Sequence, residues 1–151
     1  MSDKAVVRGF TITRTVRIES PLATVWKTIT EPELVGKWFS EEATGDAPAV
    51  GATGLYTWEG HGEFAYVVTS VTPETEYEYR WAGAPSPVVK DDDSTTVRFT
   101  LEADGDATIV TVTESGFVTI AGGTAHRRKR LDENREGWNV ELDELAGLLE
   151  S

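Results

Sequence analysis

LDENREGWNVELDELAGLL, residues 131–149, sets Leu131, Trp138, Leu142, Leu145 and Leu149 at steps of 7, 4, 3 and 4 residues. That spacing keeps returning to one face of a helix with 3.6 residues per turn. Asp132, Glu133, Glu136, Glu141, Asp143 and Glu144 fill most of the remaining positions and make the other side a solvated face. A helix this one-sided needs an apolar surface to lie on. Everything before Gly116 reads mainly as strands, so the pattern predicts a long C-terminal helix that closes the open side of a curved sheet.

The basic run His126-Arg127-Arg128-Lys129-Arg130 just before that stretch reads as a solvated helix entrance beside a carboxylate-rich helix. Positive charge is unfavourable at a helix N-terminus, so the helix is expected to begin a turn late, or the run to be anchored by Asp and Glu elsewhere.

Working back to the start, Phe10, Ile12, Arg14, Val16 and Ile18 alternate with Thr11, Thr13, Thr15 and Arg17, the pattern of a half-buried strand with one charged interruption at Arg14. Ser20-Pro21 then supplies a helix start, with Ser20 as N-cap and Pro21 at the first helical position. Leu22, Val25, Trp26 and Ile29 share a helical face, and Glu31-Pro32 stops that helix. A second short helix is expected from about Pro32 to Trp38.

From Ala43 to Phe117 the chain is strand and turn. Strands are expected at Leu55–Glu59, Glu63–Val71, Tyr77–Trp81, Thr95–Glu102 and Thr108–Phe117, with Asp104-Gly105-Asp106 as a hairpin signal. Consecutive hairpin-linked strands curl, and a curled antiparallel sheet needs its concave side covered. The expectation is an α+β domain over residues 1–151, with an antiparallel sheet of about six to seven strands. Two short helices follow its first strand, and a long C-terminal helix crosses it.

Composition narrows the function. Lys and Arg total 14 against 26 for Asp and Glu, a formal charge of −12, which argues against nucleic acid or an anionic membrane as partner. The chain has no cysteine, which excludes disulfides and thiolate chemistry and is compatible with a reducing cytoplasm. The first residues contain no apolar signal segment, and no stretch suits membrane insertion, so a cytoplasmic location is expected.

Several short runs now line up in order: Val25-Trp26-Lys27-Thr28-Ile29-Thr30 with Pro32, Lys37-Trp38-Phe39, Val71-Thr72-Pro73, Tyr79-Arg80-Trp81, Thr111-Val112-Thr113-Glu114-Ser115-Gly116-Phe117, and Gly137-Trp138 followed by Leu142 and Leu145. Together they resemble the START-like superfamily with the Bet v 1 helix-grip fold, and more narrowly the proteins related to the C-terminal domain of the Hsp90 ATPase activator. The resemblance implies the fold; it does not imply one activity, because its members include lipid carriers, hormone receptors, allergens, polyketide cyclases and a chaperone regulator. That regulator has a further N-terminal domain that engages the chaperone, whereas the present sequence opens on its first strand.

Glu114 shares parity with Val110 and Val112, so an unbroken strand turns it inward. A carboxylate in an apolar cavity has a raised pKa and suits a general acid or base, or a partner for a ligand's donor group. The alternative is a structural glutamate at the rim, hydrogen-bonded to a neighbouring element. Trp38, Phe39, Trp58, Phe64, Tyr66, Tyr79, Trp81, Phe99, Phe117 and Trp138 form the expected wall, either of a ligand cavity or of a filled core. Gly137, inside the helix, marks close backbone approach or space left open.

His61 reads as an exposed loop histidine, and with His126 as the only other one, no metal site or cofactor is expected. Asp91-Asp92-Asp93 lacks the spacing of a calcium loop, Gly60-His61-Gly62 is too short for a nucleotide fingerprint, and Ser115-Gly116 has no nucleophile elbow. Three functions follow. The first is non-catalytic binding of a small hydrophobic or amphipathic molecule between sheet and helix. The second is a cyclase or hydratase with Glu114 as acid or base and Tyr66 or Tyr79 orienting an enolate. The third is a protein-interaction module like the chaperone regulator.

Overall fold

In a computed structural model, residues 4–150 are described. The chain begins with strands β1 (Val6–Arg8) and β2 (Thr11–Ile18), then helices α1 (Leu22–Thr30) and α2 (Pro32–Val35). Six strands follow: β3 (Glu42–Gly45), β4 (Thr53–Trp58), β5 (Gly62–Thr72), β6 (Glu76–Ala82), β7 (Ser94–Asp104) and β8 (Ala107–Ser115). A single 3-10 turn at Phe117–Thr119 leads into α3 (Thr124–Glu150). The strands form one antiparallel sheet in the order β1-β2-β8-β7-β6-β5-β4-β3.

This is the α+β helix-grip architecture that the sequence implies, with 8 strands where about six to seven were expected. The added strands, β1 and β3, are the two sheet edges, and both are short. Because β1 precedes the strand at Thr11, the two short helices follow the second strand.

Strand β5 is irregular between Val68 and Ser70, the kind of break that bends a strand and increases its local twist. The irregularity resets the side-chain phase, so Val71 follows Tyr66 and Val68 onto the concave face opposite Tyr77. At the β7–β8 hairpin, Asp104 pairs with Ala107 across Gly105-Asp106, and Gly105 supplies the positive φ of 63°. Another pair of glycines answers to a side chain. A Cβ at Gly45 or Gly54 would collide with the phenol of Tyr66, which lies across both.

Helix α3 lies against the concave face with Leu131, Trp138, Leu142 and Leu145 buried among Ile12, Phe99, Val110 and Val112. Burying each such side chain contributes on the order of 1.5–3 kcal/mol. Arg14, the charged interruption in β2, is buried and reaches the middle of the helix. Its Nη1 donates to the carbonyl oxygens of Trp138 and Asn139 at 3.2 and 2.8 Å, and Nη2 pairs with Asp143 at 2.6 Å.

Three local expectations need correction. Ser20 does not cap α1: the first turn closes on the Pro21 carbonyl, which makes Pro21 the N-cap, while the Ser20 carbonyl accepts from Thr108. Helix α2 ends at Val35, three residues before Trp38, and the chain continues as turns through Phe39. Helix α3 starts at Thr124 rather than at Leu131 or later, so the basic run is its first turns. Tertiary contacts outweigh the unfavourable dipole there. Arg127 donates to the Ile120 carbonyl at 2.7 Å, Arg128 stacks over the Phe10 ring, and Arg130 lies 3.8 Å from Asp93. Among the described residues no helix is long and apolar enough to cross a membrane.

Candidate functional site: a buried carboxylate and an aromatic cleft

The unbroken alternation of β8 carries Glu114 inward, where it is 0% exposed. Four donors from three elements converge on it. Trp81 Nε1 on β6 and Thr95 Oγ1 on β7 donate to Oε2 at 2.9 and 2.6 Å. On α3, Trp138 Nε1 donates to Oε1 at 2.8 Å, and Asn134 Nδ2 donates to both oxygens at 3.1 and 3.0 Å. Asn134 and Trp138 are one helical turn apart, so α3 presents both to the same carboxylate. Burial pushes the Glu114 carboxyl above its ordinary range, and the bonds from Thr95, Trp81, Trp138 and Asn134 offset part of that rise. The two indoles and the Asn134 amide N–H donate and do not accept, so three of the four partners suit the carboxylate anion, while the Thr95 hydroxyl can also accept.

Beside this node the packing opens. After α2, the Trp38 indole donates to the Thr28 carbonyl of α1 at 2.8 Å, which fixes the turn that carries Phe39 under the helix. The Phe39 ring stacks on Trp138 at 5.4 Å and meets Trp58 and Trp81 at 5.1 and 5.6 Å. These four rings line a half-open cleft of about 180 Å³, completed by Glu133, Asn134, Gly137 and Glu141 on α3. Gly137 is where the helix stands clear, since a Cβ added there meets nothing within 4 Å. The Glu141 carboxyl is pushed up to about 8 by burial and by the neighbouring charge of Glu144. Glu141 also borders an adjoining depression of about 330 Å³ with Lys37, Trp38, Glu41 and Glu144.

With the site laid out, comparison with known proteins places the chain. The family model described as activator of Hsp90 ATPase homolog 1-like protein matches residues 19–150. The chain belongs to that family. Solved structures agree on the fold at low identity. A protein from Mesorhizobium loti shares 23% identity at a TM-score of 0.75, over 92% of this chain and 96% of its own. The Aha1 dimer from Colwellia psychrerythraea shares 21% identity at 0.73, over 93% and 96%. DynU16, a putative protein in the dynemicin biosynthetic locus, shares 23% identity at 0.74; 95% of this chain matches 48% of that one, so the chain spans about half its length. No curated protein matches this sequence.

Within this activator-homologue fold, the residues expected to form the wall divide. Phe39, Trp58, Trp81 and Trp138 line the cleft, and Trp38 reaches the adjoining depression. Phe64 packs behind Trp58 and Trp81 at 5.4 and 6.0 Å. Tyr79 and Phe99 are buried against Trp81 and Trp138 and fill the interior between sheet and helix. Phe117 is fully buried just after β8. Tyr66, on the concave face, lies outside the cleft, stacked on Tyr56 at 4.4 Å and laid over Gly45 of β3 and Gly54 of β4. Burial pushes the Tyr66 hydroxyl up to about 12 and the Tyr79 hydroxyl well above its ordinary value, so both are neutral phenols. The expected cavity between sheet and helix is thus largely occupied by interlocked rings, with open space at the cleft.

Sequence reasoning passed over Tyr56, Glu133, Asn134 and Glu141. Tyr56 has the same parity as Trp58 on β4, which was a usable signal. Glu133, Gly137 and Glu141 recur every four residues, and so do Asn134 and Trp138; this face flanks the leucine stripe.

Proposed function

We propose that the chain is a non-catalytic binding protein that holds a small hydrophobic or amphipathic molecule in the cleft between the sheet and α3. The observation that carries this reading is the half-open space floored by Phe39, Trp58, Trp81 and Trp138 and left clear by Gly137. Rings supply apolar contact area, indole edges orient a guest, and a cleft of this kind binds without large rearrangement. Glu114 acts in this reading as a structural node, because its oxygens are already engaged by four protein donors. A cyclase or hydratase would need one of those donors to leave before a proton moved.

The test is a titration of the isotope-labelled protein with a panel of aromatic and aliphatic small molecules, following the indole N–H signals. Saturable shifts at Trp58, Trp81 and Trp138 are expected. Unmoved indoles across the panel would remove the reading. Turnover that survives in wild type and disappears in Glu114→Gln with ligand affinity retained would replace it with the enzymatic one.

A further inference from the structure

We infer that the guest of this cleft is an amphipathic organic cation, an apolar or aromatic body bearing an ammonium group. The inference rests on the cleft being a binding site and adds the chemical class that fits it. Its lining combines four aromatic rings with Glu133 and Glu141, and contains no Lys, Arg or His. Glu133, Gly137 and Glu141 lie one above another on α3, so two carboxylates flank the gap that Gly137 leaves. In the adjoining depression Glu41, Glu144 and Glu141 face a single cation, Lys37. The whole chain has a formal charge of −12, which draws cations toward the mouth.

The three guest classes fare differently. An anion meets Glu133 and Glu141 at the rim, with Glu114 beneath. A neutral guest covers Glu141 and takes a carboxyl further from water with no partner in exchange. An ammonium group offsets that desolvation, and its charge is attracted by the faces of Trp58 and Trp81. Burial and Glu144 already push the Glu141 carboxyl up to about 8; a bound cation favours its anion and pulls that value down.

Three naphthyl probes that differ only in the head group separate the outcomes: (1-naphthylmethyl)trimethylammonium, 1-naphthalenemethanol and 1-naphthylacetate, each titrated by calorimetry and indole N–H shifts at pH 8.5. The quaternary ammonium is expected to bind about tenfold more tightly than the alcohol, and the carboxylate most weakly. Its affinity falls as the pH is lowered toward 6, because Glu141 takes up a proton while the probe keeps its charge. In the Glu133→Gln, Glu141→Gln double variant the preference for the ammonium, read as the ratio of its affinity to that of the alcohol, collapses to under about threefold. Equal affinity for ammonium and alcohol, or a preference untouched by the double variant, overturns the cation inference and leaves the cleft standing as a hydrophobic site. Binding of none of the three overturns the cleft itself.

Discussion

The indole N–H of Trp138 donates to Glu114 Oε1 at 2.8 Å, so the last helix is tied to the last strand by a hydrogen bond between two buried side chains. The carboxylate is the common acceptor for both indoles and for Asn134, which fixes the prediction. Glu114→Leu strands those donors without an acceptor, at about 1–3 kcal/mol each, partly offset because no carboxylate has to be desolvated. A net loss of roughly 3 kcal/mol or more is expected in chemical denaturation. Glu114→Gln keeps one acceptor oxygen and is expected to lose about half as much. Equal stability of the two variants and wild type would mean that the node does not hold helix to sheet.

Glu141 gives a pH dependence with a definite sign. Its carboxyl is pushed from the ordinary 4.5 up to about 8 in the folded chain. Between those values the native state binds a proton that the unfolded chain has released, so stability falls as pH rises through this window and levels off above it. Burial of Glu114 acts in the same direction. Glu141→Gln removes its own contribution, and the gap between variant and wild type should widen in the variant's favour from about pH 5 to pH 8. Parallel stability curves for the two proteins across that range would contradict this.

Leu131, Trp138, Leu142 and Leu145 announced α3 through side-chain period alone; the parity of Val110, Val112 and Glu114 offered an inward carboxylate against one at the rim, and the unbroken alternation of β8 decides for the buried position. Val6–Arg8 and Glu42–Gly45 were not legible as strands. Each is too short to show alternation, and each exists by pairing with a longer neighbour. The first turns of α3 were hidden for a related reason: Arg127, Arg128 and Arg130 oppose the local dipole, and their contacts to Ile120, Phe10 and Asp93 are invisible in one dimension. Glu133 and Glu141 looked like ordinary solvated helix positions. Only the turn that brings Phe39 beneath the helix makes them walls of a cleft.

Glycine substitutions separate empty space from filled space. Gly137→Ala places a methyl where nothing lies within 4 Å, and alanine's helix propensity should raise stability by up to about 1 kcal/mol. Gly137→Leu extends further into the cleft and should abolish probe binding while the fold persists by circular dichroism. At Gly54 the same alanine meets the Thr44 carbonyl and the Tyr66 phenol, and a loss of about 1–3 kcal/mol is expected. Retained probe binding in Gly137→Leu would place the ligand elsewhere.

Arg14 tests whether a buried charge is worth its desolvation. Its bonds go to the carbonyls of Trp138 and Asn139 in mid-helix, positions that also accept from the amides one turn on, and to Asp143, whose side chain is 61% exposed. Arg14→Met removes a desolvated guanidinium, while the Trp138 and Asn139 carbonyls keep their helical bonds and Asp143 turns to water. Replacing a buried ion with an apolar chain of similar length is often close to neutral, so the expected loss is under about 2 kcal/mol, smaller than for Glu114→Leu. The comparison is decisive because both residues cross from sheet to α3. If Arg14→Met proves the more damaging, the helix is held chiefly by the guanidinium at β2, and the cluster around Glu114 is secondary.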